Sequence, residues 1–286
     1  MIRRSIKLSI YIGFAGLFSS CMTVSDIKPE DYLNHARELI QKQQFQLAKL
    51  YVDSVRICFP KEFNKIKEGI RVMREIHFAE QTKTLAFCDS MLRVRQTQLP
   101  NIQKNFRFEK NEDYETIGHY VHRSQLGSNL INSTYLQSKV DERGNLFVTS
   151  YYCGGRPIKH QAVSVYATDG TYAESKPVPA DGALNYAFAN DGLYYEIVRF
   201  DRKAENGVVG FILNHKGNNI QVKLTGGRTL AYRINLRDVK AMQDAFDLSA
   251  VLSDITRLMD EIRMAQAKLE YIRQKQQGIP QNAIQE

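Results

Sequence analysis

Polar and apolar positions alternate with two different periods along this chain, and the change of period divides it into parts. Over residues 248–272 the apolar positions fall on heptads, with Leu248, Ile255, Ile262 and Leu269 at one core position and Val251, Leu258, Ala265 and Ile272 at the other. The positions between them, such as Ser249, Asp260, Arg263 and Glu270, are polar, so the stripe predicts a long helix over 238–277 lying lengthwise on a partner. Residues 61–99 carry a second helical pattern, with Phe63, Ile66, Ile70 and Met73 and then, after a phase shift, Phe78, Leu85, Cys88 and Leu92. Both helices come out near 57–60 Å at about 1.5 Å per residue, and the economical arrangement is an antiparallel pair, each covering the other's seam. A stalk of two helices carrying the intervening segment follows as an expectation.

Between them, over 106–236, the period drops to two. Runs such as Leu146-Phe147-Val148-Thr149-Ser150-Tyr151-Tyr152, Val163-Ser164-Val165-Tyr166, Tyr194-Tyr195-Glu196-Ile197-Val198, Val208-Val209-Gly210-Phe211-Ile212 and Ile220-Gln221-Val222-Lys223-Leu224 are rich in β-branched and aromatic residues. Turn residues separate them, among them Arg143-Gly144-Asn145, Asp169-Gly170 and Asn190-Asp191-Gly192. About eight antiparallel strands are expected, as a β-sandwich or an open barrel. The fold class is therefore α+β. Residues 278–286, with Pro280, are expected to form a flexible tail.

The N-terminal 21 residues read as an export signal, with Arg3, Arg4 and Lys7 ahead of a short apolar stretch from Leu8 to Leu17. The stretch is too short to span a bilayer, which takes about 20 apolar residues. Leu17-Phe18-Ser19-Ser20-Cys21 resembles the lipobox of bacterial lipoproteins. That resemblance implies removal of the leader and acylation at Cys21, hence attachment to the cell envelope; Met22 after the cysteine and the sparse acidic residues that follow favour the periplasmic face of an outer membrane. Residues 22–28 are then a short tether, reaching about 25 Å fully extended.

After the tether, Pro29, Glu30 and Asp31 suit a helix start. Tyr32, Ala36 and Leu39, then Phe45 and Ala48, then Pro60, resemble one tetratricopeptide repeat, which implies a helical hairpin over 29–60. The next 34-residue period fails, with Ala79, Thr82 and Asp89 at the diagnostic positions, so no repeat array is expected.

Composition narrows the function classes. Apolar residues at 43% and charged residues at 24% exclude a disordered or supercharged chain. The net charge of +8 falls to +5 once Arg3, Arg4 and Lys7 leave with the leader, and the remaining basic residues are interspersed with acids. A solvated surface is expected, with no nucleic-acid site.

Candidate chemistry is sparse. Cys58 and Cys88 are expected as small core residues, unbridged because a straight helix separates them by about 40 Å. His119 and His122 would share a face on a helix, but in a strand they point apart, so no metal pair is expected. Cys153 with His160 offers a thiol and a base without an orienting third group, and Cys153 is expected in a turn beside Gly154 and Gly155. The adjacent tyrosines Tyr151-Tyr152 and Tyr194-Tyr195 place one ring on each side of a sheet, with Tyr152 and Tyr195 as the candidate ligand surface. No cofactor is expected. The resulting expectation is a non-enzymatic envelope lipoprotein whose β segment binds a protein partner, with carbohydrate or small-ligand binding through exposed tyrosines as the alternative. Oligomeric state stays open, since the 248–272 heptads also suit a homodimer.

Overall fold

The computed structural model describes residues 28–113, 115–127, 130–215 and 219–277. The leader, Cys21, the tether before Lys28 and the tail lie outside the described residues. The chain divides into two compact units, Met1–Thr82 with Tyr271–Glu286, and Lys83–Glu270.

In the first unit, α1 (Pro29–Gln41) and α2 (Phe45–Cys58) form the expected hairpin. Asp31 accepts the Lys28 backbone N–H at 2.9 Å, closing the start of α1. Leu33, Ala36, Ala48, Val52 and Val55 pack with Val72 and Ile76 of α3 (Phe63–Gln103). Lys49–Glu80 at 2.8 Å and Arg37–Glu68 at 3.0 Å fasten the hairpin to α3. The seam on α3 is thus Val72 and Ile76, with Met73, expected there, packed beside them. Phe63 and Ile70, expected there, are 71% and 51% exposed. Their phase was set by the more hydrophobic residues, whereas the face that docks is fixed by the hairpin. Cys58, expected in the core, is exposed as well.

In the second unit, α3 runs antiparallel to α6 (Leu236–Gln277). The Cys88 thiol donates to Glu261 at 3.3 Å; seven residues on along α3, Arg95 meets Asp254, seven residues back along α6, at 2.8 Å. Burial, reinforced by the Glu261 carboxylate, pushes the Cys88 thiol up and keeps it protonated. Six of the eight heptad positions of α6 are buried, with Ile255 and Ile262 half-buried. In the first unit the Arg273 guanidinium of α6 lies 5.8 Å from the Phe78 ring of α3. α3 also passes through Pro100, one turn beyond its expected end. Leu99 and Ile102 in that turn pack with Phe106, Leu248 and Leu252, and this burial outweighs the lost backbone donor.

Among the described residues ten strands, against about eight expected, make two antiparallel sheets. The first has the order β1 (Phe106–Glu109), β2 (His119–His122), β3 (Tyr135–Asp141), β4 (Leu146–Gly154), β8 (Leu193–Phe200), β7 (Asn185–Asn190). The second runs β10 (Leu230–Arg233), β9 (Gln221–Gly226), β5 (His160–Tyr166), β6 (Tyr172–Glu174). One core joins them, with Leu136, Val148, Tyr152, Val198 and Phe200 from the first and Val163, Val165, Val222 and Leu224 from the second. Two separate sheets across a shared core fit the sandwich rather than the open barrel.

Residues 208–212, expected as a strand, are the helix α5 (Val208–Asn214). Asn206 and Gly207 adopt left-handed conformations that turn the chain out of α4 (Arg202–Glu205), and the Glu205 carboxylate accepts the N–H groups of Gly207 and Val209 at the start of α5. Val208, Val209 and Ile212 then enter the sandwich core. Local capping and burial override the β preference of the valines.

The crossover from β4 to β5 carries the chain from one sheet to the other, and one carboxylate holds it. Glu196 of β8 accepts the backbone N–H groups of Ile158 at 2.7 Å, Lys159 at 2.7 Å and His160 at 2.8 Å. Its Oε2 also lies 2.7 Å from His160 Nδ1, and His160 Nε2 lies 2.7 Å from Ser150 Oγ. Burial alone would raise the Glu196 carboxyl, but the His160 side chain and the three backbone donors outweigh it and hold the group at about 2. An ionised carboxylate only accepts, so Nδ1 carries the proton.

The folded carboxyl therefore titrates below its ordinary value near 4.5. Its contribution to stability is complete above that value and is lost as pH falls toward about 2. At about 1.4 kcal/mol per pH unit this amounts to about 3 kcal/mol. Urea unfolding should show Glu196→Gln less stable than the parent by about that much at pH 7, with the difference shrinking steadily between pH 4.5 and 2.

Candidate functional site

The first sheet has two faces, and alternation assigns them. Even-numbered residues of β4 and β8, such as Val148, Tyr152 and Val198, face the sandwich core. Odd-numbered residues face the other way. Across that face run a row of Tyr135, Tyr151, Ile197 and Tyr186, from β3, β4, β8 and β7, and a second row of Cys153, Tyr195 and Phe188.

The rings pair by stacking. Tyr135 and Tyr151 lie 4.8 Å apart at 5°, and Phe188 and Tyr195 lie 4.9 Å apart at 8°. Neighbouring strands bring such rings to this spacing, and each pair adds about 0.5–1.5 kcal/mol beyond its buried area. The segment entering β3 folds over one side, contributing Leu130 and Ile131. Tyr195 donates its hydroxyl to Asn132 at 2.8 Å, and Tyr151 donates to Gln137 at 3.2 Å. Tyr135, Tyr151, Phe188, Tyr195 and Ile197, with Leu130 and Ile131, line a pocket of about 300 Å³.

Among the described residues, none of the side chains lining the pocket is Asp, Glu, Lys or Arg. Burial raises Tyr135 to about 12 and Tyr151 further still, so both phenols are neutral donors at any physiological pH. Gln125 supplies the most exacting polar group. Its Nε2 donates to Leu136 O at 2.8 Å and Asp238 Oδ1 at 3.1 Å, while its Oε1 is buried and has no partner among the described residues. The pocket is an uncharged, ring-walled recess with amides of Gln125 and Asn190 at its boundary.

Tyr195 is where the alternation argument expected it, on the open face. Tyr152 is not. It borders the pocket but is 6% exposed, belongs to the sandwich core, and donates its hydroxyl to Arg156 O at 2.5 Å. The outward member of that pair is Tyr151, and sequence alternation alone fixes that one ring faces out without saying which. Cys21 lies outside the described residues.

The thiol and the base are separated. Cys153 is at the end of β4 rather than in a turn and faces the pocket side opposite Tyr195, while His160 turns into the core. His160 has the orienting carboxylate that the sequence did not reveal, in Glu196, but its second partner is Ser150. This Ser150–His160–Glu196 chain has the hydrogen-bond order of a nucleophile, base and acid. Its three members are 0%, 1% and 2% exposed, so Ser150 Oγ has no substrate path.

His119 and His122 fall on opposite faces of β2, as a strand requires. His119 lies 3.7 Å from Glu109, and His122 lies 3.1 Å from Asp244. No group of three metal-ligating side chains occurs among the described residues.

Comparison with protein-family models, with curated proteins and with solved structures found no match.

Two hydroxyl deletions distinguish the faces. Tyr152→Phe removes a partly buried hydrogen bond, and chemical denaturation should show a loss of about 1 kcal/mol. Tyr195→Phe removes an exposed one, and the same measurement should stay within about 0.5 kcal/mol of the parent.

Proposed function

We propose that this chain is a non-catalytic, lipid-anchored envelope protein whose β unit binds a partner protein through the aromatic pocket. The observation that carries this is the pocket itself, about 300 Å³, walled by two stacked ring pairs and free of ionisable carboxylates and cations. That volume sits at the bottom of the range of about 300–1,000 Å³ spanned by small-molecule sites, a size that fits one large apolar side chain of a partner. Interface energy concentrates in such desolvated anchor positions.

Ser150, His160 and Glu196 are sealed, so that relay offers no catalytic site; a second chain of the same order, Ser124–His122–Asp244, has its hydroxyl 2.8 Å from His122 Nδ1 and lies apart from the aromatic pocket. The lipobox-like segment ending at Cys21 supports the anchor, and the hairpin α1–α2 is compatible with the tetratricopeptide-like pattern of its sequence. No helix among the described residues is long and apolar enough to cross a membrane.

A second reading is favoured by a specific feature. The exposed Asn190 amide at the boundary, beside the stacked rings, suits a hydroxylated ring such as a saccharide.

Screening the full chain in detergent micelles against displayed random peptides and against a glycan array separates the two. The protein-binding reading expects peptides with an aromatic or aliphatic anchor, each weakened at least tenfold by Tyr195→Ala. Glycans lost in the same variant would establish the second reading instead. Binders indifferent to both Tyr151→Ala and Tyr195→Ala would remove the pocket from either account. In cells, Cys21→Ser should abolish palmitate incorporation and release the protein from the membrane fraction.

A further inference from the structure

Four strands end the two sheets, and three of them are poor templates for pairing. β1 carries Arg107 and Glu109, β6 is three residues long and ends in Glu174, and β10 is four residues long and ends in Arg233. Charges and short length are the usual protection of an edge. β7 has neither. Its six residues, Asn185-Tyr186-Ala187-Phe188-Ala189-Asn190, contain no charge and no proline, and its pairing with β8 runs without a bulge.

Hydrogen-bond alternation decides which backbone groups of β7 point outward. Leu184 O accepts from Arg199 N at 2.8 Å, so Leu184 and every second residue after it, namely Tyr186, Phe188 and Asn190, turn their backbone groups toward β8. The two-residue turn Asp191-Gly192, with φ of 49° and 75°, closes the hairpin in the same register. Asn185, Ala187 and Ala189 therefore present theirs to the free side. Asn185 confirms the direction, because its N–H donates to Asp181 Oδ1 at 3.0 Å and its C=O accepts from Gly182 N at 3.1 Å, both in the preceding loop. Ala187 and Ala189 have no such partner among the described residues, and both are exposed. Two donors and two acceptors are thus left at strand spacing, beside rings 41% and 48% exposed at Tyr186 and Phe188.

We propose that β7 receives an extended, uncharged segment of a partner protein as a seventh strand of the first sheet, by main-chain pairing with Ala187 and Ala189. Side chains of that segment on the pocket face lie against Tyr186 and Phe188, and one of them enters the pocket. Affinity then comes from the backbone and selectivity from the rings, the division of labour of strand addition. This rests on the protein-binding reading of the pocket. A second copy of the chain is a poorer occupant. Of its two edge rings, Phe188 is already stacked on Tyr195 at 4.9 Å, which leaves Tyr186 alone to reach its neighbour's pocket.

The test uses peptides selected from a displayed random library on the full chain in micelles, then resynthesised with single backbone N-methyl groups. On the unaltered protein, N-methylation should weaken binding at least tenfold at alternate positions and leave the intervening ones unchanged. Ala187→Pro removes only an outward N–H, so the melting temperature should stay within a few degrees while binding falls at least tenfold. N-methyl effects without alternation, or full binding by Ala187→Pro, would overturn the strand addition. If binding is nonetheless lost in Tyr195→Ala, the pocket reading survives and only the edge inference fails. If it is lost in neither variant, both fail. A dimer in light scattering that Ala187→Pro dissolves would assign the edge to a second copy and overturn the proposal of a separate partner.

Discussion

A buried carboxylate, that of Glu196, fastens the connection between the two sheets of the sandwich. The sheets share no strand, and the connection from β4 to β5 must cross between them carrying backbone donors that cannot go unpaired in a dry core. Glu196 takes three of those donors and the His160 ring, and His160 in turn reaches Ser150 on the neighbouring strand. The far side of the crossover is fixed just as closely. Arg228 N donates to Ile158 O at 2.8 Å, and a Cβ on Gly226 would come within 2.2 Å of Lys159 O, so the end of β9 lies directly on the crossover backbone. Lys159 adopts a φ of 51° in this arrangement, a conformation that the surrounding hydrogen bonds impose.

Fixing that crossover fixes which way the first sheet faces. With Ser150, Tyr152 and Glu196 committed to the core, Tyr151, Cys153 and Tyr195 have only the opposite face, and the stacked rings assemble there. Ser150 and Glu196 of the sealed polar chain and the pocket suited to binding are thus on two sides of the same pair of strands. One side is sealed and fully hydrogen-bonded, which serves specificity of packing; the other is open, uncharged and aromatic.

Helical architecture was legible in the sequence because its signal is long and periodic. Leu248, Val251, Leu258, Ala265, Leu269 and Ile272 repeat over many turns, and each repeat strengthens the inference. Ala36, Ala48 and Pro60 placed the hairpin in the same way. Short elements were less legible. The valines at 208 and 209 speak for a strand, and only the capping by Glu205 and the left-handed Asn206 and Gly207, a matter of tertiary context, make them helical. Phe63 and Ile70 suggested a seam by hydrophobicity, while the docked hairpin selected Val72 and Ile76 instead. In the site, Tyr195 followed from alternation, but choosing between Tyr151 and Tyr152 needed the register of β4 against β8. Glu196 left no trace in the sequence that marks it as a buried anchor, because its partners lie 36 to 38 residues away and three of them are backbone groups.

Native-state amide hydrogen exchange at Lys159 tests the central claim most directly. Its side chain is exposed and it lies outside any strand, so ordinary loop behaviour would let its amide exchange rapidly. If Glu196 holds the crossover, that amide exchanges as slowly as those of Val163 and Val165 in the core. Exchange at the rate of the surface turns would show that the carboxylate does not hold it.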